Sequence, residues 1–593
     1  MLTKKENELL SDISINEAWR HVLYLSTLNK TSGTEGEQKA HKYVQARLQE
    51  YGVPFETYEF DSLISHPKEA SLKVVSPVVS DVNCITHAFS ASTIAEGIEA
   101  DLIFVPLPQE KLFGGIEGLV EEYKKAGIEG NVTLVFRLAR PAFLWAAQQA
   151  GALGQVHVSG EDMLHELIVT TIWGTPTSES AERIPKIPAV SIRKSDGEQL
   201  LQLLQKGKVR IRLYARADTN WRRIPLTVAK IDGIEEPQKF MLIHGHMDSW
   251  YGGATDNCTG NATCLELARL LWKHRGKLKR GVRIAWWPGH STGRYSGSTW
   301  YADNFFEDLN RNCYLSMNID SPGVRGATEV SGGGLMGTSA FVAKTLRDAT
   351  GLKEVIVRSY AMRSSDQSFY GIGIPSIAIN SEIPEGSPLR GTWIGGSGGG
   401  WWWHTENDTI DKADKRILLR DLRMETLVIL RSANCNILPF DFSIVAEEYR
   451  KAIIELQTKV PVETFKLDSV INKTKDLKTI SDALNSALTS LKSDKNKEKM
   501  QRLNELLIKT SRILTSTLYT YMGKYEHDPA YDMPLIPALA RVTQLARMSL
   551  QSTEARFLVT EMTRQMNKVN DQIDAAVELV DTAIEVVKEK KYH

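Results

Sequence analysis

The chain lacks three things whose absence narrows its class. No stretch of its 593 residues approaches the ~20 consecutive apolar positions of a bilayer-spanning helix. Neither sign of charge is in excess: 72 basic residues face 72 acidic ones. That argues against nucleic acid or an anionic membrane as the default partner. Cysteines number five, at 84, 258, 264, 313 and 435. They have neither zinc-ribbon spacing nor a disulfide pattern. Met1 to Asn29 mixes charges with short apolar patches and has no secretory core, so a reduced, cytoplasmic setting is expected.

What is present organises into three parts. The length exceeds one ordinary core, so several domains are expected. Residues 34–52 carry an amphipathic helix signal with Gly52 as its stop. From about Ala91 to Ala217 the texture is that of a compact insertion. Its strands are read at Asn131–Arg137, Gly154–Val158 and Ile187–Ile192, and its helices at Arg140–Ala150 and Gly197–Leu204. Residues 235–435 alternate strands (Phe240–Ile243, Val282–Trp287, Cys313–Ile319, Ser376–Ile379) with helices. That alternation implies an α/β fold with a mixed, mostly parallel sheet flanked by helices. The resulting division is 1–90 plus 218–438, then 91–217, then a helical region from 439 to 593. In the last, Ile573, Val577, Val580, Ile584 and Val587 form an apolar stripe, and a homodimer through it is expected.

The chemistry concentrates at strand ends. His246 and Asp248 close the apolar run Phe240–Ile243, and Asp256 follows in a Gly-rich turn that leads into a helix. Asp320 ends the strand Leu315-Ser-Met-Asn-Ile-Asp320. His404 lies in Trp401-Trp-Trp-His-Thr-Glu-Asn-Asp408, after a glycine-rich stretch. Ligands in open α/β sheets bind at the carboxyl ends of strands. His-plus-carboxylate sets suit zinc or a neighbouring divalent metal. A lone histidine at a strand end is usually structural; four ligand-type residues in such places propose a metal site.

Together these motifs resemble the M28 family of zinc peptidases, in the branch of glutamate carboxypeptidase II and the transferrin receptor. The resemblance rests on Thr34-Glu-Gly-Glu37, His246-Met-Asp248, Asp256-Asn257, Ser365-Asp366 before Gly373-Ile-Pro375, and His404-Thr405 before Asp408-Thr409. It implies a zinc-peptidase-like core, a protease-associated-like insertion at 91–217 and a C-terminal helical domain. It also implies one or two divalent ions, zinc in the first place, bridged by Asp256. His246 and Asp320 would complete one ligand set, His404 would serve the other, and Asp248 would orient His246.

One departure from the family matters as much as the match. The family's Glu-Glu pair, water-activating base and metal ligand, is replaced here. The segment Trp287-Pro-Gly-His-Ser-Thr-Gly293 puts His290 and Ser291 at those positions. His290 is then either a general base, or a metal ligand in place of the lost carboxylate, or the relic of a dead site. Arg363, Asp366, Arg294, Tyr295 and Trp403 are candidates for substrate contact, the arginines through a carboxylate or carbonyl oxygen. The expected function is metal-dependent hydrolysis of a C–N bond in a small amide or short peptide-like substrate. A metal-dependent lyase and a non-enzymatic receptor-like binding protein are the alternatives.

Overall fold

The computed structural model describes residues 2–107, 115–358, 365–493 and 496–589. Its central strand is Glu236–His246, whose apolar residues Phe240 to Ile243 are buried. Parallel neighbours lie on both sides: Arg280–Trp287 on one, Cys313–Asn318 on the other. Ser376–Glu382 continues the parallel run beyond Cys313–Asn318. Antiparallel strands flank this nucleus, Glu329–Gly334 on one side and Arg210–Ile231 on the other. The fold is a mixed α/β sheet between helices, as the alternation of elements predicts.

Register is what builds the site. Ile243 pairs with Ile284 on one side and Met317 on the other. His246 therefore lies opposite Trp287, and Asn318 opposite His244. The carboxyl ends of three strands finish level, and the residues that follow each end (Asp248, His290 and Asp320) converge. One face of the sheet is covered by the helices Ile15–Leu25, Glu35–Tyr51, Thr259–Lys273 and Lys415–Asn434. A separate cluster containing Trp287, Tyr301, Leu309 and Phe369 fills another part of the core.

The insertion hangs on a two-stranded ribbon. Phe55–Ser76 and Arg210–Ile231 run antiparallel over their length, from Phe55↔Ala229 to Ser76↔Arg210. Ile98–Phe104 pairs with the far part of that ribbon and carries the sheet on into Val132–Val135, Gly154–Val158 and Ala189–Ile192. The expected boundary at residue 91 cuts this sheet, because Cys84–Thr86 pairs with Ala189–Ile192. The insertion has its own core, with Val132, Leu134, Val156, Val190 and Ile211 among its members.

The C-terminal region is helical, with long helices Phe442–Thr458, Asp468–Leu488, Lys497–Tyr519 and Thr553–Lys588. Ile573, Val580, Ile584 and Val587 are buried and Val577 packs against them, all within the chain's own bundle. The stripe therefore packs within the chain. This bundle shares one continuous core with the sheet's helix-covered face. Arg512, a buried side chain, locks the two together: it donates to the carbonyls of Leu309, Asn310, Cys313 and Gly373. Among the described residues no helix is long and apolar enough to cross a membrane.

Candidate metal centre

His246, Asp256 and Asp320 offer ligand atoms that lie within 4.8 Å of one another. His246 Nε2 is 3.0 Å from Asp256 Oδ1 and 3.6 Å from Asp320 Oδ1. That nitrogen is buried and makes no hydrogen bond of acceptable geometry. Such crowding without bonding is what donor atoms converging on a common cation produce. Burial opposes a charge on the His246 ring, yet the two carboxylates outweigh it and hold its pKa well above the ordinary value. The cluster demands positive charge between its members, so the donor set fits a divalent ion.

Local sequence explains the placement. Gly253 adopts a positive φ of 53°, and a Cβ there would stand 2.4 Å from the Asp256 carbonyl oxygen. The turn that delivers Asp256 therefore requires glycine. Asp408 holds it from the other side, accepting from the Thr255 N–H at 2.9 Å and the Asp256 N–H at 3.0 Å. Asn257 ties Asp320 to the same turn: its amide donates to the Ile319 carbonyl at 3.0 Å and its Oδ1 accepts from the Ser321 N–H at 3.0 Å.

The orientation of His246 differs from the expected one. Its Nδ1 meets the backbone carbonyl of Asp248 at 2.8 Å, whereas the nearer carboxylate oxygen is 3.9 Å away. A carbonyl only accepts, so Nδ1 donates to it, and Nε2 is the ring atom turned to the carboxylates and able to ligate an ion. The Asp248 carboxylate is spent elsewhere, accepting the N–H groups of His290 and Ser291 at 3.0 Å each. Asp248 shapes the turn rather than taking part in chemistry.

His404 enters from the opposite side, its Nε2 3.2 Å from Asp256 Oδ2. Its Nδ1 meets the Glu166 carbonyl at 2.6 Å, which again leaves Nε2 as the ring atom able to ligate an ion. Asp256 thus faces both histidines, as a bridge would. The second ligand set stops there. Ser291 is 2% exposed, and its hydroxyl has no partner among the described residues. Two ligands without a further carboxylate do not make a second site equal to the first.

His290 lies beside the cluster. Its ring stacks on His246 with centroids 3.8 Å apart, and Tyr295 stands edge-on to it at 4.9 Å. Its Nδ1 is 2.7 Å from Asp366 Oδ2. Asp366 was expected to meet substrate; instead it is wholly buried, with Ser298 donating to its other oxygen at 2.8 Å. Burial raises the Asp366 pKa, but the adjacent His290 outweighs this and the carboxyl stays below its usual range.

The remaining candidates divide. Tyr295 is buried beneath His290, its hydroxyl contacting Arg294 at 3.2 Å and the Ser365 N–H at 3.1 Å. Arg294 lies over the Tyr295 ring at 4.6 Å and has no carboxylate partner among the described residues. Trp403 stacks on His404 at 3.7 Å and walls it. Arg363 lies outside the described residues. Sequence reasoning missed Trp173 and Glu166, both supplied by the insertion. It also left Glu37 without a role. That side chain is buried and accepts from Ser32 Oγ and the Gly33 N–H, while Ser32 Oγ in turn accepts the Gly289 N–H. The opening motif therefore buttresses the His290 turn.

The mixed sheet and this carboxylate–histidine cluster place a candidate cation site at the carboxyl ends of parallel strands. Residues 227–424 match the model of peptidase family M28, and the chain carries an M28 peptidase domain. It is 23% identical over 504 residues to the probable glutamate carboxypeptidase VP8 of Zea mays, covering 71% of this chain and 67% of that one. It is 26% identical over 293 residues to carboxypeptidase Q of Xenopus laevis, covering 48% and 60%. The chain thus spans about three fifths to two thirds of the length of these two relatives. A zinc aminopeptidase from Bacillus subtilis shares the fold, with a TM-score of 0.53 at 21% identity over 71% of this chain and 95% of that one.

Proposed function

We propose that the protein hydrolyses a C–N bond of a small amide or short peptide-like substrate, using one divalent ion and His290. The observation that carries this reading is the convergence of His246, Asp256 and Asp320, with the His290 ring lying against His246. Zinc is the first choice for a His-plus-carboxylate set. When bound there, the ion supplies a Lewis acid that polarises a carbonyl and makes a water acidic enough to attack it. His246, Asp256 and Asp320 hold it; the poorer set around His404 does not fit a second ion of equal affinity.

The protein's own groups do the rest. Asp366 accepts the His290 Nδ1 proton, which makes Nε2 the basic atom of that ring. His290 Nε2 then takes the proton that a glutamate takes elsewhere in the family, and returns it to the leaving nitrogen. Arg294, which contacts the Tyr295 hydroxyl and has no carboxylate partner among the described residues, would meet an anionic group of the substrate.

The test is metal analysis of the purified chain followed by a screen of amides and acidic dipeptides in 18O-labelled water. One equivalent of ion and label incorporated into the carboxyl product support the reading. An unsaturated product without label would instead indicate a lyase in which His290 moves a proton. A chain that holds neither ion nor activity would be the receptor-like alternative.

A further inference from the structure

The insertion is more than a neighbour of the site. Its segment from His165 to Gly174 is inserted between the peptidase sheet and the C-terminal region. Glu166 exchanges two backbone contacts with His404: its carbonyl meets the ring Nδ1, and its N–H donates to the His404 carbonyl at 3.0 Å. At the other end of the segment the Gly174 N–H donates to the Arg294 carbonyl at 2.6 Å, and the Thr171 carbonyl accepts the Ala530 N–H at 2.7 Å.

Between these points stands Trp173. Its ring lies 4.3 Å from that of Tyr295, the residue that stands edge-on to His290. Its Nε1 donates to Ser368 Oγ at 2.8 Å. Ser368 and Ser298 share a hydrogen bond at 2.8 Å, and Ser298 donates to Asp366 Oδ1 at 2.8 Å. Asp366 Oδ2 closes on His290 Nδ1. The row of contacts runs unbroken from the insertion to the imidazole.

The two ends of that row fix its sense. An indole N–H only donates and a carboxylate only accepts. Ser368, accepting from Trp173, turns its own proton to Ser298, and Ser298 turns its proton to Asp366. The carboxylate is thereby held for His290, whose Nδ1 must carry the proton. The indole N–H anchors Ser368 Oγ against Ser298; without it that oxygen is held by one bond fewer and its hydroxyl is free to turn away or to accept from Ser298 instead of donating to it. Ser298 also has a second outlet, the Tyr295 carbonyl at 3.1 Å. Asp366 Oδ1 then loses its partner, and the carboxylate no longer holds the ring in one tautomer.

We propose that Trp173 of the insertion is a positioning residue for His290, acting through Ser368, Ser298 and Asp366. The inference rests on the reading of His290 as the working imidazole. It makes docking of the insertion a condition for an ordered site, although the insertion supplies none of the groups His246, Asp256, Asp320 or His290.

Ring 15N spectra of the metal-free full chain, labelled at histidine, test this without substrate or ion. The His290 signals are identified by their loss in His290→Gln. In the parent chain they are expected to show the pattern of a protonated Nδ1 and a bare Nε2. In Trp173→Phe, which keeps an aromatic ring and loses the N–H, the two shifts are expected to move together as tautomers exchange. Ser368→Ala is expected to do the same. Unchanged His290 signals in Trp173→Phe overturn the proposal, and so does a change confined to Ser368→Ala. If Trp173→Phe fails to fold, Ser368→Ala alone decides, and unchanged signals there overturn it. Failure of the hydrolase reading would leave these spectra unaffected, so the two outcomes stay distinguishable.

Discussion

His290 lies flat against His246, centroids 3.8 Å apart and planes 15° from parallel. The residue that stands in the place of the family's glutamate is thus in contact with the histidine of the metal cluster. It also has a buried aspartate of its own, Asp366, at 2.7 Å. A residue left behind in a decayed site has no need of such a partner.

The ion comes first. Asp256→Ala is expected to abolish stoichiometric binding, because Asp256 faces both His246 and His404. Chelation of the parent chain should lower its melting temperature, since an ion at 100 times its dissociation constant adds about 2.7 kcal/mol of stability. Elemental analysis and thermal scans check both. Unchanged metal content in Asp256→Ala would remove the assignment.

Ordinary peptidase activity is expected to be weak. A general base is worth ~10²–10⁴-fold in rate, and an imidazole standing where the family resemblance places a carboxylate is expected to realise only part of that on ordinary peptides. Neither His290, whose Nδ1 meets Asp366, nor Ser291, whose hydroxyl has no partner among the described residues, is a carboxylate. Dipeptides and aminoacyl anilides turning over many times per second would contradict this. Once a substrate is known, His290→Ala separates its roles: loss of the ion marks a ligand, while retained ion with lost turnover marks a base.

The N-terminal helix Lys4–Ser11 is held by charge. Arg431 contacts Glu6 and Asp348 at 2.7 Å each, and all three side chains are mostly buried. Burial raises the Glu6 pKa, but Arg431 and Thr3 outweigh it and hold the carboxyl below its ordinary range. Asp348 is lowered too, against its burial, by Lys344 and Arg431 among others. A depressed carboxyl contributes stability above its unfolded pKa and loses it as pH falls through the folded one. Arg431→Ala should cost about 3 kcal/mol at neutral pH. The gap between parent and variant should narrow below about pH 4.5. Melting temperatures measured from pH 7 to 3 would show this; a constant gap would refute it.

Arg512 makes a similar claim about the helical region. Burial lowers its pKa to about 10, and carbonyls rather than acids surround it. Arg512→Met would leave buried carbonyls unsatisfied and is expected to destabilise the whole chain by about 3 kcal/mol. Denaturant unfolding measures it. A change under ~0.5 kcal/mol, the range of a neutral surface substitution, would mean that the helices do not depend on this lock.

Much of the fold was legible in local pattern. Gly154–Val158 is a strand with the expected bounds, and the helix stopped by Gly52 ends at Tyr51. The Phe240–Ile243 run is the middle of the central strand. Apolar runs and glycine stops act over a few residues, so the sequence shows them directly. The same holds for the ligand types His246, Asp256 and Asp320, which the strand ends present together.

What tertiary structure alone decided is the work of each group around those ligands. Asp248 and Asp366 read as partners of His246 and of substrate; packing gave the first to the backbone of the His290 turn and the second to the His290 ring. The stripe from Ile573 to Val587 has the same period whether it meets a second chain or its own bundle, and only the packed helices show that it meets the latter. Trp173 carries no motif and lies 117 positions before His290 in the chain. Its bond to Ser368 depends on how the insertion docks. Periodicity and residue type report what a short segment favours. Which acceptor a buried proton finds depends on atoms brought together from distant segments, and those distances exist only in the folded chain.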